Sequence, residues 1–154
     1  MASTGEWTRA RVKEATTVRK VRPDDRNAML ALLAELGYPT DAETVGARLD
    51  RAESEPSALV LVAERDGEVR GLASLQVLHL IERPPLGRLT TIVVSEPARR
   101  AGAGRALLER VEREARTMGC DRLEVTSGEW RDDAHAFYRE LGFEETSKRF
   151  IKGL

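Results

Sequence analysis

The stretch from Leu89 to Leu108 limits the folds open to this chain. Leu89 to Val94 is apolar and β-branched and reads as a buried central strand. A loop holding Arg99, Arg100, Gly102 and Gly104 follows and opens a helix. In that helix Leu107, Leu108, Val111, Ala115 and Met118 share one face, charged residues occupy the others, and Gly119 ends it. A buried strand feeding an amphipathic helix points to a layered α/β domain.

The rest of the chain agrees. Residues 1–15 are polar and charged without an apolar period and read as a flexible leader, leaving 16–154 as one domain. Thr16 to Val21 alternates like a strand, and Arg22-Pro23-Asp24 breaks it. Met29, Leu32, Leu33 and Leu36 fall at helical spacing before Gly37. Thr40 with Glu43 forms a capping-box pattern ahead of a second helix, which Pro56 stops. Ala58–Ala63 and Val69–Leu78 read as strands joined by an Asp66-Gly67 hairpin turn. Leu123–Thr126 is a further short strand, Asp132 or Asp133 caps a last helix through Leu141, and Phe143–Lys152 reads as a final strand.

Composition excludes several classes. With 154 residues the chain suits one domain, and a net charge of −1 lacks the basic excess of a nucleic-acid module. No apolar run reaches the ~18 residues of a membrane span, so no membrane partner is expected. A single cysteine, Cys120, excludes a disulfide framework, and no residues show metal-ligand spacing. Cys120 sits at a helix exit, where the dipole disfavours a thiolate, and reads as a small buried hydrophobe.

The loop before the long helix suits a phosphate. Glycines let the backbone approach an anion, free N–H groups at a helix start point at it, and the dipole favours negative charge there. Arg99, Arg100 and Arg105 add charge-assisted donors. A dinucleotide fingerprint would need a third glycine where Leu107 stands, and a P-loop would need Gly-Lys-Ser/Thr. By itself, a Gly-x-Gly is equally a flexible entry to a core helix.

A second element lies farther on. Ala134-His-Ala-Phe-Tyr-Arg-Glu-Leu-Gly-Phe143 places Phe137 and Leu141 one helical turn apart, able to pack on the core, with Tyr138 on a neighbouring face. Together, the Arg-x-x-Gly-x-Gly loop and this Ala-x-x-Phe-Tyr-x-x-x-Gly-Phe segment resemble the GNAT superfamily of acetyl-CoA-dependent N-acyltransferases. The tail from Leu123 is similar to aminoalkylphosphonate and small-amine N-acetyltransferases.

The resemblance implies a single-domain GNAT fold, with a mixed, mostly antiparallel sheet of six to seven strands and helices on both faces. It implies acetyl-CoA as cosubstrate and a small-molecule amine as acceptor. Ile92, Val93 and Val94 would pair with the pantetheine arm, and a backbone N–H near Val94 would hold the oxyanion. Arg99, Arg100, Ala101, Gly102, Ala103, Gly104 and Arg105 would hold the pyrophosphate. Arg131 stands where the family often has an asparagine cofactor contact. Tyr138 would be the general acid, because a phenol with an ordinary pKa of about 10 keeps its proton at neutral pH and can give it to a departing thiolate. Arg88–Ile92 lacks the carboxylate the family often carries there, so the base stays open among His79, Glu82, Glu129, Asp133, His135 and water. Folds of this kind often pair as homodimers, and the expected location is cytoplasmic. The same fold also serves non-catalytic acyl-CoA-binding or regulatory modules, and acetyltransferases of protein N-termini or lysines.

Overall fold

A computed structural model describes residues 15–154, so the expected leader lies, but for Ala15, outside the described residues. The elements run β1 (Thr17–Lys20), α1 (Arg26–Leu36), α2 (Ala42–Ser54), β2 (Ala58–Arg65), β3 (Glu68–Leu78), β4 (Leu86–Val94), α3 (Ala103–Thr117), β5 (Arg122–Val125) and α4 (Asp132–Glu140). Local chemistry sets most of the boundaries. Gly37 closes α1 at φ 100°, and the Asp66-Gly67 turn has both residues at positive φ, as a tight hairpin requires. The cap of α2 is Asp41 rather than the expected Thr40: its Oδ1 accepts the Thr44 N–H at 2.8 Å. Likewise Arg131, not Asp132 or Asp133, stands at the cap position of α4.

The strands lie in chain order, β1-β2-β3-β4-β5. The pairings β1–β2, β2–β3 and β3–β4 are antiparallel, and β4–β5 is parallel because α3 carries the chain back across the sheet. Helices cover both faces as expected. Leu61, Ala73, Leu75 and Leu89 pack with Leu107, Leu108 and Val111 of α3 and with Tyr138 of α4. Across the sheet, Val62, Leu72 and Val93 pack with Met29 and Leu32 of α1 and Val45 and Leu49 of α2.

The strand count needs correction. Among the described residues the sheet has five strands, not six or seven. Phe143 N–H bonds the Tyr138 carbonyl at 3.0 Å and ends α4, but from Glu144 onward every residue is exposed and no ladder forms. The expected last strand, Phe143–Lys152, carries Phe150 and Ile151 side by side after a polar run, yet no face of it is buried and β5 offers only four residues to pair with.

Candidate functional site

The site begins where β4 leaves β5. Their parallel pairing runs from Leu86 opposite Arg122 to Leu89 opposite Val125 and stops there. β4 continues to Val94, paired on its other side with β3, but among the described residues no strand lies beside it on the β5 side. A bulge at Thr90, opposite the Ser74–Leu75 step of β3, adds one residue to β4 and shifts its side-chain alternation. Consequently Leu89, Ile92 and Val94 all face the α3 side, and Val93 faces α1 and α2. Backbone alternation places the polar groups. Ser95 N–H donates to Arg70 C=O of β3 at 2.8 Å, so Val94, and by the same period Ile92, turn N–H and C=O to the unpaired edge. Val93 turns its backbone to β3. Of the expected pantetheine strand, Ile92 and Val94 therefore present free-edge backbone groups and Val93 contributes packing.

The open edge leads into the glycine loop. Arg100 (φ 62°) and Gly102 (φ 88°) both adopt left-handed backbone, and nothing lies within 4 Å of where a Gly102 Cβ would stand. Ala103 tucks its methyl into the core beside Leu107. The first helical bond of α3 is Ala106 N–H to Gly102 C=O, 3.0 Å, which leaves the N–H groups of Ala103, Gly104 and Arg105 without helical acceptors. Arg100, Ala101 and Arg105 are exposed around them, and no acidic residue occurs in 99–105. Orphan amides, a helix dipole and nearby guanidinium groups suit an anion. Gly104 has a different duty from the one its motif suggests: a Cβ there would meet Phe137 Cζ at 3.2 Å, so its smallness lets α4 approach α3. Arg99 is turned back. Its Nε donates to Val94 C=O at 3.1 Å, and its Nη2 lies 3.6 Å from Glu35 Oε2 of α1.

Tyr138 lies on the core side of α4 and is 9 % exposed. Phe137 and Phe143 hold its ring at centroid distances of 5.7 and 5.6 Å in tilted and edge-on packing. Burial pushes its phenol above the ordinary value, with nearby Arg131 opposing and Asp133 adding to the shift. The phenol therefore keeps its proton through neutral pH. Cys120 is also buried, and burial together with Asp121 raises its thiol, as suits a packing residue.

A broad cleft runs beside the β4–β5 parting, and Tyr138, Arg131, Thr91 and Ile92 line it. Of the candidate bases, Glu82, Glu129, Asp133 and His135 line the cleft too, whereas His79 is exposed outside that lining. Trp130 is 84 % exposed on the cleft wall. Two acidic residues that sequence reasoning missed are also here. Glu124 of β5 is ion-paired with Arg88 of β4, one residue before the strands part. Glu35 lines the cleft from the end of α1 and accepts the Glu96 N–H at 3.0 Å. Neither has a sequence motif: Glu124 acts through a strand pairing and Glu35 through a contact across 61 residues.

A free strand edge able to pair with an extended chain, an anion cradle at its end and a protonated phenol alongside make this an α/β protein with a cleft suited to an extended, anionic ligand. Residues 21–143 match the model of the acetyltransferase (GNAT) family, and the chain belongs to that family. It is an acyltransferase, and members of the family use acetyl-CoA. The chain is 32 % identical to an aminoalkylphosphonate N-acetyltransferase of Salmonella typhimurium over 89 % of its own length and 90 % of that protein's. It is also 32 % identical to an aminoglycoside N(6')-acetyltransferase of Stenotrophomonas maltophilia, covering 89 % and 92 % of the two chains. The crystal structure of an aminoglycoside N-acetyltransferase with CoA superposes with a TM-score of 0.82 at 18 % identity, over 91 % of this chain and 95 % of the other. That likeness is one of fold. Among the described residues, no helix is long and apolar enough to cross a membrane.

Proposed function

We propose that this protein transfers the acetyl group of acetyl-CoA to a primary amine of a small molecule by direct attack, with both substrates bound at once. The observation that carries the reading is the unpaired Ile92–Val94 edge running into the orphan amides of α3. Bound there, acetyl-CoA supplies an activated thioester. Ala103, Gly104 and Arg105 N–H, with Arg100 and Arg105, hold the diphosphate, and Arg131 is a further cofactor contact. Ile92 and Val94 pair with the pantetheine, and the Val94 N–H polarises the carbonyl oxygen. Positioning supplies much of the rate in such a ternary reaction.

Proton transfer falls to side chains. Tyr138 donates its phenolic proton to the leaving sulfur, and its raised pKa keeps it loaded for that role. Glu124, at the parting of the strands, takes the proton that the amine gives up, which answers the missing carboxylate on β4. The raised thiol of Cys120 argues against an acetyl-cysteine intermediate. Two relatives named for aminoalkylphosphonate and aminoglycoside acceptors support a small amine over a protein N-terminus or lysine.

A thiol-release assay across aminoalkylphosphonates, aminoglycosides, amino acids and peptides tests this. Turnover on a small amine is expected. CoA binding without turnover on any amine would overturn the reading in favour of a non-catalytic binding module.

A further inference from the structure

The last turn of helix α1 brings Glu35 to the cleft, where it is joined to the glycine-loop side through Arg99 and the Glu96 amide. Both contacts fall on Oε2, at 3.6 and 3.0 Å. Side-chain exposure is 51 % for Arg99 and 34 % for Glu35, so the ion pair is a weak, solvent-screened one. Arg99 also occupies Val94 C=O, a group of the unpaired β4 edge. Its guanidinium thus covers two acceptors at once, one on the cofactor strand and one on the wall of the cleft. Three residues farther along the chain, Gly102 begins the stretch of orphan amides.

We propose that Arg99 is a latch that makes acceptor binding depend on the cofactor, with Glu35 as the masked acceptor-binding carboxylate. The inference rests on the acetyltransferase reading above. A diphosphate carries more charge than one carboxylate and offers a guanidinium paired, charge-assisted bonds. It therefore outcompetes a half-exposed glutamate for Arg99. When Arg99 swings to the loop, Val94 C=O is released on the strand edge. The Glu35 carboxylate, still held by the Glu96 N–H, then faces the cleft with its charge uncompensated, ready to bind an ammonium group. The cofactor loads first, and the amine follows.

Calorimetric binding of CoA to wild type, Glu35→Gln, Arg99→Gln and the double variant tests the competition. Thermal melts accompany each variant to confirm folding. Glu35→Gln should tighten CoA several-fold when Arg99 is present and have no effect in the Arg99→Gln background. A second series titrates 2-aminoethylphosphonate and an aminoglycoside with and without saturating CoA. At least one should bind wild type more tightly with CoA, and Glu35→Gln should abolish that gain while Glu35→Asp keeps part of it. Unchanged or weakened CoA affinity in Glu35→Gln, or an amine affinity indifferent to CoA, overturns the latch and leaves the acetyltransferase reading intact. Failure of wild type to bind CoA at all removes both.

Discussion

Tyr138 meets two demands with one side chain. Its ring fills the core between Phe137 and Phe143, and the same burial raises its pKa, which in the mechanism proposed above keeps the acid loaded. Tyr138→Phe keeps the ring and removes the hydroxyl that carries the proton. It should lower kcat by roughly 10²–10⁴-fold, the usual range for one general acid, with little change in CoA affinity. Because the phenol is raised, turnover limited by its proton should persist at high pH and fall only above the ordinary phenol value. Steady-state rates from pH 6 to 11 check both points, and a wild-type alkaline limb below pH 9 would remove Tyr138 from the acid role. The aromatic motif was readable because its spacing is local. Glu124 and Glu35 were not, since only strand pairing and helix docking bring them to the cleft.

The packing of α3 on β3 fixes where the anion loop sits. A Cβ on Gly71 would stand 2.9 Å from Leu107 Cδ1 and 3.3 Å from both Ala63 Cβ and Val93 C=O. Leu107 is fully buried and has nowhere to retreat. Gly71→Ala should therefore destabilise the protein by about 1–3 kcal/mol, the usual cost of overpacking. Denaturant titration reads the loss, and adding Leu107→Ala should make the effect of the Gly71 change smaller than it is alone. Among the elements, β2, β3, their hairpin and α3 were legible, since apolar period and turn chemistry speak locally. The last strand was misread. Residues 143–152 carry Phe143, Phe150 and Ile151 around a polar run, but a strand also needs a partner and a buried face, and neither can be read from such residues alone. The bulge at Thr90 was equally hidden, as it concerns register between strands.

Across the whole molecule, one ion network ties the first strand to the sheet and to α1. Arg19 of β1 reaches Asp25 through Nη1 and Nη2 (2.8 and 3.0 Å) and Glu64 of β2 through Nε at 2.8 Å. Asp25 is buried and also accepts the Arg22 N–H. The Arg19 guanidinium holds its carboxyl below the ordinary range, and burial opposes that only in part. A depressed carboxyl stabilises the fold above its unfolded pKa, near 4, and loses that contribution as pH falls through the folded value. Asp25→Asn should cost roughly 2 kcal/mol at pH 7, the scale of hydrogen bonds to a charged group. The gap to wild type should close in acid below about pH 4. Chemical unfolding at pH 7 and pH 3 checks this, and an equal gap at both would refute the assignment.

The parting of β4 from β5 divides the groups to which the proposed mechanism assigns the chemistry between two portions of the chain. The strand edge with Ile92 and Val94 belongs to an antiparallel sheet built by residues before the glycine loop, whereas Tyr138 arrives with α3, β5 and α4. Within the sheet, four parallel residue pairs are all that join these portions. Catalysis therefore reports on the seam. Under rising urea, turnover should fade while most of the far-ultraviolet signal is still intact, because β5 and α4 can part from β4 before α3 leaves the core it shares with β2 and β3.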